Sequence, residues 1–321
     1  MAASAPLAVV IPSWNSVELL PRCLDSLAGQ GVELEVLVVD NGSSDGSVPY
    51  LERRGTPCLS LPRNVGFAAA VNLGASRVTA PLVLSLNADT ALEPGVVESL
   101  LSVLADDPSL GGVQPRILQL EATRPPNLAT ARLYSVGQAL TGDGRAVEMG
   151  AGMQQRPELL QRREIFGVCG AACLLRRELF DDLGGYDERY FAFYEDVDLN
   201  VRARIAGWRF EFVPEAVVWH RGNASWQAGV DRAGAWNARL VARNRLATQI
   251  KFMPVAAAPR IAAVEVGALA RAAAQRRFLA TLRGKLAALR WLPELLKERG
   301  RLRRDGDVEL ARRWLGADRL S

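Results

Sequence analysis

Three polar clusters follow three apolar runs, at the points where buried strands would end. The clusters are PSWN at 12–15, DNGSSDGS at 40–47 and NAD at 87–89. Because ligands of doubly wound sheets bind beyond the carboxyl ends of parallel strands, we expect these side chains to converge on one crevice. There Asp40 is suited to accepting hydrogen bonds from a nucleobase or ribose, although an Asx-turn or helix cap explains it equally well. Trp14 is suited either to stacking on a base or to packing against the first helix.

Asp89 and His220 are candidate ligands of a divalent cation. Carboxylate oxygens suit hard cations that bridge a diphosphate, and imidazole suits manganese-type ions. His220 is the only histidine of the chain and ends a predicted strand. Each residue alone has a simpler explanation, Asp89 as a helix cap before LEPGVVESLL and His220 as a structural histidine. Their occurrence together favours a metal site.

Glu195, Asp196 and Asp198 form a tight acidic group within the aromatic segment YFAFYEDVDL. Neighbouring like charges and partial burial raise the pKa of at least one carboxyl, which suits it to accept a proton from a sugar hydroxyl near neutral pH. The alternative is the acidic first turn of a helix, where the helix dipole favours such residues. That alternative explains the three acids but not the aromatic residues beside them.

The sequence predicts that the elements positioning these residues form an α/β fold with a mostly parallel sheet and helices on both faces. Continuous apolar runs at 7–11, 34–39 and 81–86 predict parallel strands buried on both sides. Residues at helical spacing lie between the first two runs, namely Val17, Leu20, Leu24 and Leu27. Further helices are predicted at 66–77 and around 176–183, and a further strand at 210–220. Residues 111–165 lack periodicity and predict irregular or hairpin structure over the site.

Composition sets the broad class of the protein. The chain has 321 residues, 49% of them hydrophobic and 23% charged, which excludes a disordered, collagen-like or low-complexity protein. Charged residues and a proline interrupt the longest weakly polar stretch, 254–270, so no membrane-spanning helix is predicted. The N-terminal residues show no basic leader, and we expect a cytoplasmic protein. Four cysteines predict reduced thiols rather than a disulfide framework or a zinc site: Cys23, Cys58, Cys169 and Cys173.

Charge divides the chain into two regions. Residues 1–230 carry 19 Lys and Arg against 27 Asp and Glu, whereas residues 231–321 carry 20 against 8 and a net charge of +12. We therefore predict a catalytic domain over 1–230 and a basic helical region over 231–321. A leucine stripe in the second region is flanked by basic residues seven apart: Arg276, Arg283, Arg290 and Lys297. An anionic membrane surface and packing on the catalytic domain are both open as explanations, and nucleic acid is disfavoured because aromatic residues are not interleaved.

Seven motifs along the chain resemble those of inverting family 2 glycosyltransferases of the GT-A fold, particularly the rhamnosyltransferase-like members of bacterial polysaccharide and cell-envelope assembly. The motifs are VVIPSWN, VLVVDNGSSDGS, PRNVGFAAAVNLG, LVLSLNADT, GGYDERYFAFYEDVDLNVRARIAGW, VVWHRGNAS and ARNRLATQIKFMP. The resemblance covers roughly residues 7–255 and implies a metal-assisted transferase working at the inner membrane.

The resemblance implies a role for each matching residue. The pocket for the nucleotide sugar would be lined by Pro12, Trp14, Asp40, Asn41, Asn64, Gly66, Asn72 and Asn87. Asp89 would hold Mg²⁺ or Mn²⁺ on the donor diphosphate, with His220 as a further ligand. Asp196 would be the catalytic base that deprotonates the acceptor hydroxyl. Glu195 would support it, and Asp198 would orient the acceptor.

Two departures from the family pattern concern the donor. The usual Asp-any-Asp pair is here Asn87-Ala88-Asp89, and the usual glycine-rich segment after NVGF is here alanine and valine. The donor implied first is deoxythymidine diphosphate-rhamnose and second a uridine diphosphate sugar, with a glycan or lipid-linked acceptor. Asn87 also keeps open a non-catalytic protein of the same fold that binds sugar nucleotides. The oligomeric state, including a homo-oligomer, is left open.

Overall fold

The computed structural model describes residues 6–121, 127–222 and 230–305. Its strands are β1 (Leu7–Ser13), β2 (Leu34–Asp40), β3 (Cys58–Ser60), β4 (Leu82–Leu86), β5 (Thr90–Leu92), β6 (Leu110–Gln119), β7 (Leu133–Ser135), β8 (Gln138–Leu140), β9 (Ala146–Glu148), β10 (Arg163–Ile165), β11 (Ala172–Arg176) and β12 (Arg209–His220). Its α-helices are α1 (Leu20–Ala28), α2 (Ser47–Arg54), α3 (Phe67–Ala75), α4 (Val96–Asp106), α5 (Arg177–Asp182), α6 (Glu195–Ile205), α7 (Val230–Phe252), α8 (Ala258–Ala274), α9 (Phe278–Leu289) and α10 (Leu292–Asp305). The strands predicted at 7–11, 34–39, 81–86 and 210–220 are confirmed, as are the helices predicted between the first two strands, at 66–77 and around 176–183. The basic region predicted over 231–321 is helical as far as it is described, and its residues 306–321 lie outside the described residues.

One sheet organises the first 220 residues. Its strand order is β10-β12-β6-β11-β4-β1-β2-β3, and β1 is parallel to both of its neighbours, β2 and β4. β11 is antiparallel to β4 and β6 and so separates two parallel parts of the sheet. The predicted α/β architecture is confirmed, with the C-terminal region entirely helical over 230–305. No helix in the described parts of the chain is both long and apolar enough to span a bilayer.

β1 shows why an uninterrupted apolar run was needed. Leu7, Val9 and Ile11 pack into one core cluster, whereas Ala8 and Val10 pack into another. Successive side chains of a strand point to opposite faces, so both faces of β1 are covered. All five residues are fully buried, which fixes the end of the strand and the PSWN cluster that follows.

The interpretation of residues 111–165 was wrong at its start, because β6 is a ten-residue strand of the main sheet. The sequence did not predict this strand because it contains Gly111 and Gly112, and glycine weakens the residue pattern typical of strands. Both glycines are required by close packing: a Cβ at Gly111 would clash with Leu179, and one at Gly112 would clash with Leu175. The rest of the segment includes the predicted hairpin, formed by β8 and β9.

Candidate functional site

A cleft of about 320 Å³ lies beyond the carboxyl ends of β1, β2 and β4. Such a volume suits a small polar ligand, and the position is where doubly wound sheets bind theirs. Nine of the residues predicted from the sequence line this cleft: Pro12, Trp14, Asn41, Asn64, Asn87, Asp89, Glu195, Asp196 and His220. All three polar clusters and the acidic segment therefore meet in one place, although they span some 200 residues of sequence.

Three residues predicted to line the nucleotide pocket lie outside the lining. Asp40 is buried at the end of β2, and its Oδ1 has no hydrogen-bond partner among the described residues. Gly66 begins α3 with a positive φ of 94°, and a Cβ there would clash with the carbonyl oxygen of Phe191. Asn72 binds the backbone of Tyr186 through both ends of its amide. Gly66 and Asn72 thus hold the cleft wall rather than face the cleft.

Asp198 is also absent from the cleft, and the prediction that it orients the acceptor is corrected. Its fully buried carboxylate accepts hydrogen bonds from Arg202 at 2.6 Å and from Lys251 of α7 at 2.7 Å. These two cations lower the pKa of Asp198 against the opposing effect of burial. Asp198 therefore links α6 to α7 through buried ion pairs.

Asp89 and His220 lie side by side in the cleft. His220 Nε2 is 3.1 Å from Asp89 Oδ1 and 3.4 Å from the amide nitrogen of Asn87. Strand pairing explains the contact, because His220 at the end of β12 lies opposite Thr90 of β5. His220 is almost fully buried against the edge of Tyr134, and its Nδ1 has no hydrogen-bond partner among the described residues. One carboxylate and one imidazole directed into a polar cleft fit a divalent cation such as Mg²⁺ or Mn²⁺.

Asp196 accepts several hydrogen bonds at the start of α6. Its Oδ2 accepts from the backbone NH of Gly170 at 2.9 Å and from Gln138 Nε2 at 2.7 Å, and its Oδ1 accepts from the NH of Val197 at 2.8 Å. Burial raises the pKa of Asp196, and these three hydrogen bonds oppose the rise by stabilising the carboxylate. The side chain is therefore fixed in place and poised to exchange a proton.

Two further carboxyls border Asp196, and the pKa of each is also raised. Burial, followed by the charge of Asp196, raises the pKa of Glu195 well above its ordinary range. The same two causes raise the pKa of Glu148 to about 7. Because Asp196 receives three hydrogen bonds and Glu195 Oε2 receives none among the described residues, Asp196 ionises first of the pair. Asp196 can thus be ionised while the carboxyl of Glu195 beside it stays neutral.

Gln138 and Glu148 are site residues that the sequence analysis missed. Gln138 Nε2 donates to both Glu148 Oε1 and Asp196 Oδ2, and Gln138 Oε1 accepts from Asn200. The two residues come from β8 and β9 of the hairpin, ten positions apart in the sequence. Paired strands bring them together, with Gln138 directly opposite Glu148. No local motif marks them, so only the hairpin register would have found them.

A strained turn positions the acidic segment. Phe191, Phe193 and Tyr194 all have φ between 64° and 70°, a region that non-glycine residues rarely adopt. Asn244 of α7 stabilises this turn, since its fully buried Nδ2 lies 2.6–2.9 Å from the carbonyl oxygens of residues 190, 192 and 193. The motif ARNRLATQIKFMP thus holds the turn that carries Glu195 and Asp196.

A second group of possible ligand atoms is poorly suited to a metal ion. Glu148, Cys169 and Asp196 each offer one atom within 4.8 Å of the others. Burial raises the pKa of the Cys169 thiol well above its ordinary value, so it stays protonated, whereas metals bind the thiolate. Asp196 already accepts three hydrogen bonds. We therefore interpret Glu148 and Cys169 as neighbours of Asp196 rather than as metal ligands.

Comparison with known proteins agrees with this geometry. The family model described as Glycosyl transferase family 2 matches residues 8–184. The N-acetylglucosaminyl-diphospho-decaprenol L-rhamnosyltransferase of Mycobacterium tuberculosis is 32% identical over 238 residues, covering 67% of this chain and 75% of the relative. The pre-mycofactocin glycosyltransferase of the same species is 33% identical over 216 residues, covering 66% of this chain and 42% of the relative.

Solved structures of lower sequence identity share the fold. The mannosyltransferase PcManGT from Pyrobaculum calidifontis, solved with GDP-Man and Mn²⁺, is 19% identical, with a TM-score of 0.55 over 97% of this chain and 87% of that chain. GalNAc-T7, solved with UDP, GalNAc and Mn²⁺, is 15% identical, with a TM-score of 0.59 over 78% of this chain and 49% of that chain. The sequence matches and the cleft lead to the same conclusion: the chain belongs to glycosyl transferase family 2 and is a glycosyltransferase.

Proposed function

We propose that the protein transfers a sugar, rhamnose in the first instance, from a nucleoside diphosphate to a hydroxyl of a lipid-linked glycan, with inversion at the anomeric carbon. The observation that carries this proposal is the meeting of Asp196 with Asp89 and His220 in one cleft. The rhamnosyltransferase of M. tuberculosis, whose name specifies a diphospho-decaprenol acceptor, supports the choice of sugar and of acceptor class.

Asp196 supplies the base in this scheme. The acceptor hydroxyl oxygen attacks the anomeric carbon as the bond from that carbon to the diphosphate oxygen breaks, and the hydroxyl proton passes to Asp196 Oδ. The hydrogen bonds from Gly170 and Gln138 hold the carboxylate in position before the reaction. Glu195, kept neutral by burial and by the charge of Asp196, adds no second negative charge beside the base.

Asp89 and His220 would hold the cation on the donor diphosphate. A bound Mg²⁺ or Mn²⁺ supplies neutralisation of the negative charge that develops on the departing nucleoside diphosphate. Asn87, which stands where the family pattern has a second aspartate, lies 3.4 Å from His220 Nε2. Its amide can therefore orient the imidazole, and the loss of one carboxylate does not argue for a non-catalytic protein.

The proposal is tested by incubating the full chain with a panel of nucleotide sugars and measuring release of nucleoside diphosphate with Mn²⁺ or Mg²⁺. We expect deoxythymidine diphosphate-rhamnose to be used best, and chelation to abolish release. Asp89→Asn should raise the Mn²⁺ concentration for half-maximal activity by roughly tenfold or more, because it removes the carboxylate charge. Asp182→Asn, at an exposed aspartate of α5 outside the cleft, is the matched control.

Two results would count against this assignment. If Asp89→Asn required no more metal than the control, the metal site would lie elsewhere. If none of the nucleotide sugars released a nucleoside diphosphate and none changed the melting temperature of the protein, the cleft would not be a donor site.

Glu148→Gln is expected to stabilise the fold at neutral and alkaline pH. The pKa of Glu148 in the folded protein, about 7, exceeds its ordinary value of 4.5, so ionisation of this carboxyl destabilises the fold. The destabilisation is fully present above about pH 7 and absent below about pH 4.5. Thermal or urea unfolding should show a gain of about 2 kcal/mol at pH 8, reduced by partial exposure of the side chain, and little change at pH 4.5.

Glu178→Gln provides the control, because Glu178 is an exposed glutamate of α5. An equal gain in stability at pH 4.5 and pH 8 would contradict the ionisation argument for Glu148.

A further inference from the structure

Large apolar side chains lie exposed along α9 and α10. The exposed fractions are 63% for Leu279, 54% for Leu286, 48% for Leu289 and 51% for Leu296, and we call these four residues the leucine face. Single exposed leucines are ordinary on a protein surface, but four on two consecutive helices form a patch of the kind that marks an interaction site.

α9 packs on the protein body through its other side. The residues it buries are small or polar: Thr281, Gly284, Lys285 and Ala288. Gly284 lies so close to the carbonyl oxygen of Arg239 in α7 that a Cβ would not fit. Helical spacing places these residues on the side opposite Leu279 and Leu286. α9 therefore packs on α7 through these small and polar residues. The leucine face takes no part in that packing and is exposed.

Basic residues surround the leucine face. Four exposed cations occur at seven-residue intervals along it: Arg276, Arg283, Arg290 and Lys297. Among the described side chains of α9 and α10, Glu294 is the exposed acid. A second copy of the chain, paired about a two-fold axis, would bring like charges together, which disfavours self-association. Apolar side chains bordered by cations instead match the interface of a bilayer that contains anionic lipids.

We infer that the leucine face binds the surface of an anionic lipid bilayer, with its leucines at the acyl boundary and its arginines among the phosphate groups. The same helix α7 lines the cleft through Val241 and contacts α9 through Arg239. A lipid-linked acceptor would lie in the same bilayer. Only the presence of the acceptor in that bilayer rests on the proposed function, because membrane binding itself requires neither donor nor acceptor.

The test is sedimentation of the full chain with vesicles, without sugar nucleotide. We expect binding to phosphatidylglycerol–phosphatidylcholine vesicles, weakening with salt, and little binding to phosphatidylcholine alone. The double variant Leu279→Gln/Leu286→Gln should bind roughly tenfold more weakly or worse, and Arg283→Gln about fivefold more weakly. Leu128→Gln is the matched control, since Leu128 is 47% exposed but lies outside these helices.

Three outcomes would overturn the inference: no binding to anionic vesicles, binding that the leucine variant leaves unchanged, or equal binding to neutral vesicles. Sedimentation equilibrium tests a fourth outcome. If the wild type self-associates and the leucine variant does not, the leucine face binds a second copy of the chain and the inference is wrong. Sugar transfer to a water-soluble acceptor is measured in parallel. Its retention in the leucine variant shows that the cleft is intact, and its absence in the wild type counts against the proposed function while the vesicle result stands.

Discussion

Replacement of Asp196 by asparagine is expected to lower kcat for sugar transfer by roughly 10²–10⁴-fold and to leave donor binding close to that of the wild type. Asparagine has the size of aspartate but cannot take up the hydroxyl proton. The backbone NH of Val197 donates to Oδ1 and that of Gly170 to Oδ2, so the one amide oxygen of asparagine can keep one of these two hydrogen bonds and hold the side chain in place. Calorimetric titration with the nucleotide sugar, together with the rate of nucleoside diphosphate release, separates the two effects.

The stability of the same variant gives an independent check. Burial raises the pKa of Asp196, so the carboxylate is held in place at a cost in folding free energy. Asp196→Asn should therefore unfold no more easily than the wild type above neutral pH. If the variant kept its full turnover, the base would be another group; if it lost donor binding as well, Asp196 would act in binding rather than in proton transfer.

Asp198→Ala is expected to lower the free energy of unfolding by about 3–5 kcal/mol. The substitution removes the carboxylate that the buried Arg202 and Lys251 both contact. Lys251 keeps Glu298 at 2.9 Å, so the costly uncompensated charge is that of Arg202. Urea unfolding measures the loss. Asp25→Ala is the matched control, because the Asp25–Arg54 pair at 2.7 Å is exposed and should contribute at most about 1 kcal/mol.

Asp196 and Asp198 are two residues apart at the start of α6, yet one should affect turnover and the other stability. A loss of stability in Asp198→Ala no larger than in Asp25→Ala would mean that the ion pairs with α7 contribute little. Catalytic activity of the folded Asp198→Ala fraction should stay near that of the wild type, since Asp198 does not reach the cleft.

The sequence predicted well those features that depend on local pattern. The apolar runs predicted β1, β2 and β4, and the polar clusters after them marked the position of the cleft. Asp196 and Asp198 show where this reasoning ends. Helical spacing places residues two apart on different sides of α6, but only the packing of α7, fifty residues downstream, decides which one faces the cleft. Neither residue type nor spacing contains that information.

Features that depend on tertiary contact were missed for physical reasons. β6 contains two glycines because Leu175 and Leu179 occupy the space of their side chains, so its sequence does not resemble a buried strand. Gln138 and Glu148 come together only through the pairing of β8 with β9. Asp40, Gly66 and Asn72 carry the residue types expected of a ligand pocket, yet the structure uses the last two to secure neighbouring backbone.

The strained turn before Glu195 has a consequence for synthesis of the protein. Its carbonyl groups are held by Asn244, and the neighbouring carboxylate of Asp198 is neutralised by Lys251, both of which belong to α7. A nascent chain that has emerged only as far as β12 contains every acidic residue of the cleft but not the helix that orders them. We therefore expect catalytic competence to arise late in translation, once α7 has left the ribosome and packed against the sheet.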